Sequence, residues 1–336
     1  MKSHHQRQLH KFESLIYVFV LVVLLLSTAT FLGLQSTPAS PAAELAGQAK
    51  ITLTTALVLL PVNVTDSNGA FVSGLTAKNF KVFEDGMQQE ITLFQQEDTP
   101  VTVGLIVDHS FSMGPKLSSV SLAVNAFAHS SNLQDEMFVV DFNENVSVEL
   151  MRGKPFTHDE AELQQALSAV SAHGQTALYD AVIEGLTHVK LGKWDKKALI
   201  IVSDGGDNAS HATFSELLAQ AQQSHVVIYS IGLVGKAGEE ENPRVLKKLS
   251  NATGGITFLT KHSDEAAKFT KQIARDLREQ YILAYVPPRK SNRDSFRKIV
   301  VQVSSANAQK LRVRTRPGYL PDGANSQSAQ TLGVPR

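Results

Sequence analysis

From residue 101 to about residue 285 the chain repeats one pattern: a short apolar run, then a longer segment with apolar residues at helical spacing. The apolar runs are 101–107, 137–142, 198–203, 226–232 and 256–260, and the helix-like segments are 116–131, 159–172, 176–190, 214–224, 243–251 and 263–279. Strands that are apolar on both sides need cover on both faces, and amphipathic helices supply it. The expected fold class is therefore α/β, a Rossmann-like and mostly parallel sheet with helices on both faces. Residues 143–150 are expected to add an antiparallel hairpin at one edge.

The flanks read differently. Residues 51–98 are β-rich, with a turn signal at Asp66-Ser-Asn-Gly69. Asp85-Gly86, between strand-like runs at 81–84 and 89–94, is a hairpin signal, because the favoured two-residue turn needs positive φ at both positions. After 281–286, Pro287-Pro288 breaks the rhythm, and two further β-like runs lie at 296–304 and 310–316. The boundaries drawn are 51–98 for a small β module, 99–286 for the α/β domain, 287–320 for a C-terminal β extension and 321–336 for a polar tail expected to be disordered.

The N-terminus reports the compartment. Lys2, Arg7 and Lys11 precede an apolar stretch from 15 to 26 and a softer one to residue 34. A basic flank before an apolar segment keeps the N-terminus inside and sends the downstream chain outward. Residues 1–35 read as a signal peptide or a transmembrane anchor, with small residues around 39–43 offering a cleavage region inside a 36–50 linker. Uncleaved, residues 15–34 hold the protein in the membrane, facing the periplasm or cell exterior; cleaved, the protein is secreted. A zero net charge over 336 residues gives no footprint for nucleic acid, and the absence of cysteine excludes disulfides, thiolate metal sites and a Cys nucleophile.

Chemistry-bearing residues gather where strands end. The run from Val103 stops at Asp108, Ser110 and Ser112; Gly174-Gln-Thr-Ala-Leu-Tyr-Asp180 supplies Thr176; and the run from Leu199 ends in Asp204, with Asp207 and Asn208 beyond. In a parallel sheet these C-terminal strand ends share one edge, where ligands bind. Asp108, Ser110, Ser112, Thr176 and Asp204 are the candidate metal ligands, and an all-oxygen set suits Mg²⁺, Mn²⁺ or Ca²⁺ rather than zinc. For any one segment alone, the blander account is that Ser or Asp caps the next helix. A hydrolase is disfavoured because Ser110 lacks a glycine-flanked elbow, and no phosphate loop or His-Glu-x-x-His helix is present. The histidines at 129, 158, 173, 188, 211, 225 and 262 show no ligand spacing.

The set Asp108-x-Ser110-x-Ser112, Thr176 and Asp204 resembles the metal-ion-dependent adhesion site of von Willebrand factor type A domains. The wider chain is similar to an exported, von Willebrand factor-related group known mainly from Acidobacteria. That likeness runs through Val64-Thr-Asp-Ser-Asn-Gly69, Leu75-Thr-Ala-Lys-Asn-Phe-Lys-Val-Phe-Glu-Asp-Gly86, Leu277-Arg-Glu-Gln-Tyr-Ile-Leu-Ala-Tyr285 and Arg314-Thr-Arg-Pro-Gly-Tyr319. The resemblance implies that Ser110, Ser112 and Thr176 contact the ion directly, that Asp108 and Asp204 bind directly or through water, and that a partner protein's Asp or Glu completes the shell. It implies an exported, non-catalytic, metal-dependent protein-binding module. The alternative is an envelope scaffold whose metal serves only loop stability. Asp207 and Asn208 are read as shaping the loop, and His109 as approaching the partner or pointing to solvent. Arg312, Arg314 and Arg316, on one strand face, bind an acidic surface or guard a solvated edge.

Overall fold

A computed structural model describes residues 57–96, 98–148, 150, 153–168, 171–235, 241–288, 295–304 and 310–321. The expectations for the N-terminal segment 1–35, the linker and the tail beyond 321 lie outside the described residues. Among the described residues no helix is long and apolar enough to cross a membrane.

Four strands come first: β1 (Val58–Thr65), β2 (Phe80–Glu84), β3 (Met87–Gln89) and β4 (Leu93–Gln95). The α/β rhythm then runs β5 (Thr102–Asp108), α1 (Leu117–Ser130), β6 (Glu136–Phe142), β7 (Val146–Val148), α2 (Glu160–Ser168), α3 (Leu178–His188) and β8 (Lys197–Ser203). It continues through α4 (Phe214–Gln223), β9 (Val227–Leu233), α5 (Pro243–Thr253), β10 (Thr257–Thr260) and α6 (Ser263–Arg278). The last four strands are β11 (Tyr281–Tyr285), β12 (Arg297–Val303), β13 (Arg312–Arg314) and β14 (Gly318–Tyr319).

The central sheet has six strands in the order β10-β9-β8-β5-β6-β7. All pairs are parallel except β6 with β7, the antiparallel edge that the sequence places at 143–150. Every residue of β5 is buried, and its side chains divide between two cores. Val103, Leu105 and Val107 join α1, α2 and α6 on one face, while Ile106 joins α3, α4 and α5 on the other. Gly104 is glycine because of crowding: a Cβ there would collide with the Phe138 ring and sit 2.7 Å from Leu199 Cδ2. From β5 the chain steps to β6 on one side and returns to β8 on the other, so the crevice at the C-terminal ends of β5 and β8 is a switch point.

The remaining strands form two four-stranded sheets, β13-β1-β11-β4 and β14-β12-β2-β3. The expected β module and C-terminal extension are therefore one sandwich, drawing strands from both ends of the described chain. β11, which the sequence pattern assigns to the α/β domain, instead lies between β1 and β4, with Leu283 opposite both Leu60 and Phe94. The two sheets share a core that includes Leu60, Val62, Val82, Tyr281, Leu283 and Ile299. Within it lies Glu84, fully buried. Its Oε1 accepts Arg297 Nη2 at 2.8 Å and Nε at 3.0 Å, and its Oε2 accepts the hydroxyls of Tyr285 at 2.5 Å and Tyr319 at 3.3 Å. A buried carboxylate persists only when so fully satisfied. Burial first, then the Glu84 charge, pushes the Tyr319 phenol up to about 12. The β2–β3 turn carries the expected positive φ, +48° at Asp85 and +84° at Gly86.

The α/β domain is thus inserted between β4 and β11, and polar contacts lock it to the sandwich. Asp276 on α6 accepts Arg314 Nη2 at 2.5 Å, Tyr229 OH at 2.7 Å and Asn63 Nδ2 at 3.0 Å. Arg316 donates to the carbonyls of Ser224 at 2.8 Å and Gln222 at 2.5 Å. These two arginines correct the expectation drawn from their alternation. Arg316 is 3% exposed and Arg314 is partly buried, so they join domains rather than guard a solvated edge; only Arg312 faces solvent. Burial lowers the Arg316 guanidinium to about 10.

Candidate metal site at the sheet edge

Asp108 is the last residue of β5 and is fully buried. Its Oδ1 accepts the Ser110 N–H at 2.9 Å and its Oδ2 accepts the Ser203 hydroxyl at 2.6 Å. The carboxylate therefore organises both strand ends at once. Burial pushes its carboxyl up to about 6; hydrogen bonds from Ser110 and Ser203 oppose this, and the charge of Asp204 adds to it. Its hydrogen-bond donors are neutral, so at neutral pH this buried carboxylate is answered by dipoles alone. A divalent cation nearby would offset that cost.

Ser110 leads into a short 3-10 helix spanning Phe111–Lys116, which carries Ser112. The two serine Oγ atoms are 3.3 Å apart, and Ser112 Oγ donates to Asp204 Oδ2 at 2.8 Å. Asp204 directly follows β8, is 2% exposed, and its Oδ1 accepts the Gly206 N–H at 3.1 Å. Thr176 precedes α3 and is tied to the Asp204 loop from both sides. Its N–H donates to Asn208 Oδ1 at 2.8 Å, and its carbonyl accepts the N–H of Asn208 at 2.9 Å. Ser112, Thr176 and Asp204 share the wall of one cleft of about 340 Å³, together with Tyr179, Asp207, Asn208 and Glu241. The candidate residues from three separated segments are thus brought together: Ser112, Thr176 and Asp204 line the cleft, while the buried Asp108 and Ser110 connect to it through the Ser110–Ser112 contact.

Asp207 and Asn208 shape this loop, as their position in the sequence implies. Asp207 Oδ1 accepts Tyr179 N–H at 3.1 Å and Ser210 Oγ at 2.5 Å, and burial raises its carboxyl above the usual range. Next to Thr176 in sequence, the Gln175 N–H donates to Glu144 Oε2 at 2.7 Å. The Glu144 carboxylate lies where a side chain on Gly174, at φ +77°, would collide. His109 departs from expectation. It is 3% exposed, with Nδ1 paired to Asp141 Oδ1, so it neither meets a partner nor points to solvent. Lys116 is a functional candidate that the sequence pattern does not single out: its Nζ lies 3.1 Å from Asp204 Oδ2 and 3.0 Å from Glu241 Oε1. The one available signal is its place four residues after Ser112, in the same short 3-10 segment. Among the described residues no group of three or more His, Asp or Glu side chains is set to hold a metal, so a site here relies on hydroxyl oxygens. The oxygen set at this edge fits a hard divalent cation.

The described residues thus form a doubly wound α/β domain with a hydroxyl-and-carboxylate cleft at its switch point. Residues 103–206 match the family model of the von Willebrand factor type A domain, so the chain carries that domain. A von Willebrand factor type A structure from Catenulispora acidiphila is 14% identical, covering 73% of this chain and 74% of that one with a TM-score of 0.48. An aerotolerance-related membrane protein from Bacteroides fragilis is 15% identical over 52% of this chain and 98% of its own, at 0.44. The von Willebrand factor domain of the type V pili tip protein Mfa5 from Porphyromonas gingivalis is 14% identical over 54% and 95%, at 0.43. No curated protein matches the chain.

Proposed function

We propose that this is an exported, non-catalytic protein-binding module that works through a divalent cation held by Asp108, Ser110, Ser112, Thr176 and Asp204. The observation that carries the reading is the contact of Ser112 Oγ with Asp204 Oδ2 at 2.8 Å, joining the ends of β5 and β8 in a cleft that Thr176 also lines. Ser110, Ser112 and Thr176 offer neutral oxygens; Asp108 and Asp204 offer charge. Few direct carboxylates leave an Mg²⁺, Mn²⁺ or Ca²⁺ ion electrophilic toward an incoming Asp or Glu of a partner protein. Ser110 Oγ faces Ser112 Oγ at 3.3 Å and Ser112 Oγ donates to Asp204, so among the described residues neither serine is paired with a histidine base, and the constellation supports binding rather than acyl transfer. The basic and apolar N-terminus supports export, with residues 15–34 as the membrane anchor where uncleaved.

The test is calorimetric titration of the purified full-length protein with Mg²⁺, Mn²⁺ and Ca²⁺, beside Asp108→Ala and Thr176→Ala. Saturable binding in the wild type that both variants lose supports the site. Binding that survives both substitutions places the ion elsewhere and overturns it. Partner capture that persists in chelator, but is lost when the sandwich strands are disrupted, would favour an envelope scaffold instead.

A further inference from the structure

Lys116 occupies an unusual place for a cation beside a cation site. Its ammonium is 3.1 Å from Asp204 Oδ2, the same oxygen that accepts the Ser112 hydroxyl. It is also 3.0 Å from Glu241 Oε1, and that oxygen is itself fixed by the Gly235 N–H at 2.6 Å. The three side chains are 17%, 2% and 15% exposed for Lys116, Asp204 and Glu241, so solvent and salt screen them only partly.

We infer that Lys116 is a built-in competitor of the divalent ion, neutralising Asp204 when the ion is absent, and that Glu241 is the anchor to which it retreats when the ion binds. The inference rests on the metal site proposed above. A divalent ion using Asp204 and the Ser112 hydroxyl meets a like charge on the same carboxylate oxygen, and like charges this close oppose each other. An ammonium on a four-carbon stem moves easily and carries three donors, whereas the Glu241 oxygen is held by backbone. The ion gains Asp204 only as Lys116 gives up that contact, and Glu241 makes the exchange less costly. Cation affinity is thereby set below what the oxygen ligands alone would give.

Calorimetry with Mn²⁺ on the full-length protein tests this through Lys116→Met, which keeps the stem and removes the charge, with Lys116→Gln as a second variant should Met at this rim impair folding. Tighter Mn²⁺ binding by about tenfold is expected in either. Glu241→Gln should weaken binding in the wild-type background and have a much smaller effect beside Lys116→Met, because its role runs through Lys116. A Glu241→Gln loss of the same size in both backgrounds reduces Glu241 to a general negative charge and overturns the exchange. Unchanged or weaker binding in the folded Lys116 variants overturns the inference while leaving the metal site intact. Binding that appears only once Lys116 is replaced supports it strongly. No binding in wild type and in every Lys116 variant removes the site and the inference together.

Discussion

Asp276 and Arg314 meet at 2.5 Å between Oδ2 and Nη2, joining the last helix of the inserted domain to strand β13 of the sandwich. The same carboxylate accepts Tyr229 OH and Asn63 Nδ2, so one side chain satisfies donors from three elements. Replacing it with alanine leaves a partly buried guanidinium and a buried amide without this partner. Asp276→Ala is expected to lower unfolding stability by about 3 kcal/mol. Equilibrium urea unfolding checks this; a loss no larger than that of an exposed ion pair would show that the two domains are held mainly by apolar contact.

Asp108 gives a pH signature to the metal-free protein. Its carboxyl rises from 3.8 to about 6 in the folded state, so between those values the folded chain binds the proton more tightly than the unfolded chain. The stability due to this group is therefore highest in acid and declines as pH rises through that window, by on the order of 3 kcal/mol in total. Asp108→Asn cannot ionise. Measured in chelator, its stability relative to wild type should climb between about pH 4 and pH 7. A flat difference would mean that the folded carboxyl is not raised.

Gly104 makes room on one face of the sheet for the side chains of Phe138 and Leu199, its direct neighbours on β6 and β8. An alanine Cβ there runs into the Phe138 ring and comes to 2.7 Å from Leu199, contacts that only displacement can relieve. Gly104→Ala is expected to cost about 1–3 kcal/mol, and Phe138→Leu in the same chain should return part of it. Additive losses in a double-mutant cycle would show that the strain is taken up elsewhere.

What the sequence made legible was local. Apolar runs and helical spacing along 101–279 mark nearly every strand and helix of the central domain, because burial on two faces leaves a pattern within each segment. Asp108, Ser110 and Ser112 were legible for the same reason, being two residues apart at a strand end. Partners distant in sequence were not. The run at Tyr281–Tyr285 is as apolar as any central strand, and nothing within it says that Leu283 will face Leu60 rather than a neighbour in the α/β sheet. His109 is buried beside Asp141, which the neighbouring strand β6 supplies. The arginines of β13 alternate as a solvated edge would, yet Arg314 finds Asp276 and the nearby Arg316 finds two carbonyls at the end of α4. Pairing of this kind is decided by topology, which residue spacing does not encode.

The insertion also dictates a timetable. β1 to β4 leave the ribosome early, but β11, β12 and β13, which pair with β1, β2 and β4, emerge only after the whole α/β domain has been made. Adjacent strands β4 and β11, paired through Phe94 and Leu283, are the two ends of that interruption. The central domain, whose contacts are mostly nearer in sequence, can fold as a unit while the first strands still expose unpaired edges and apolar faces. Closing the sandwich therefore waits on the strands that follow the inserted domain, and until then the open edges of β1 to β4 are exposed to aggregation.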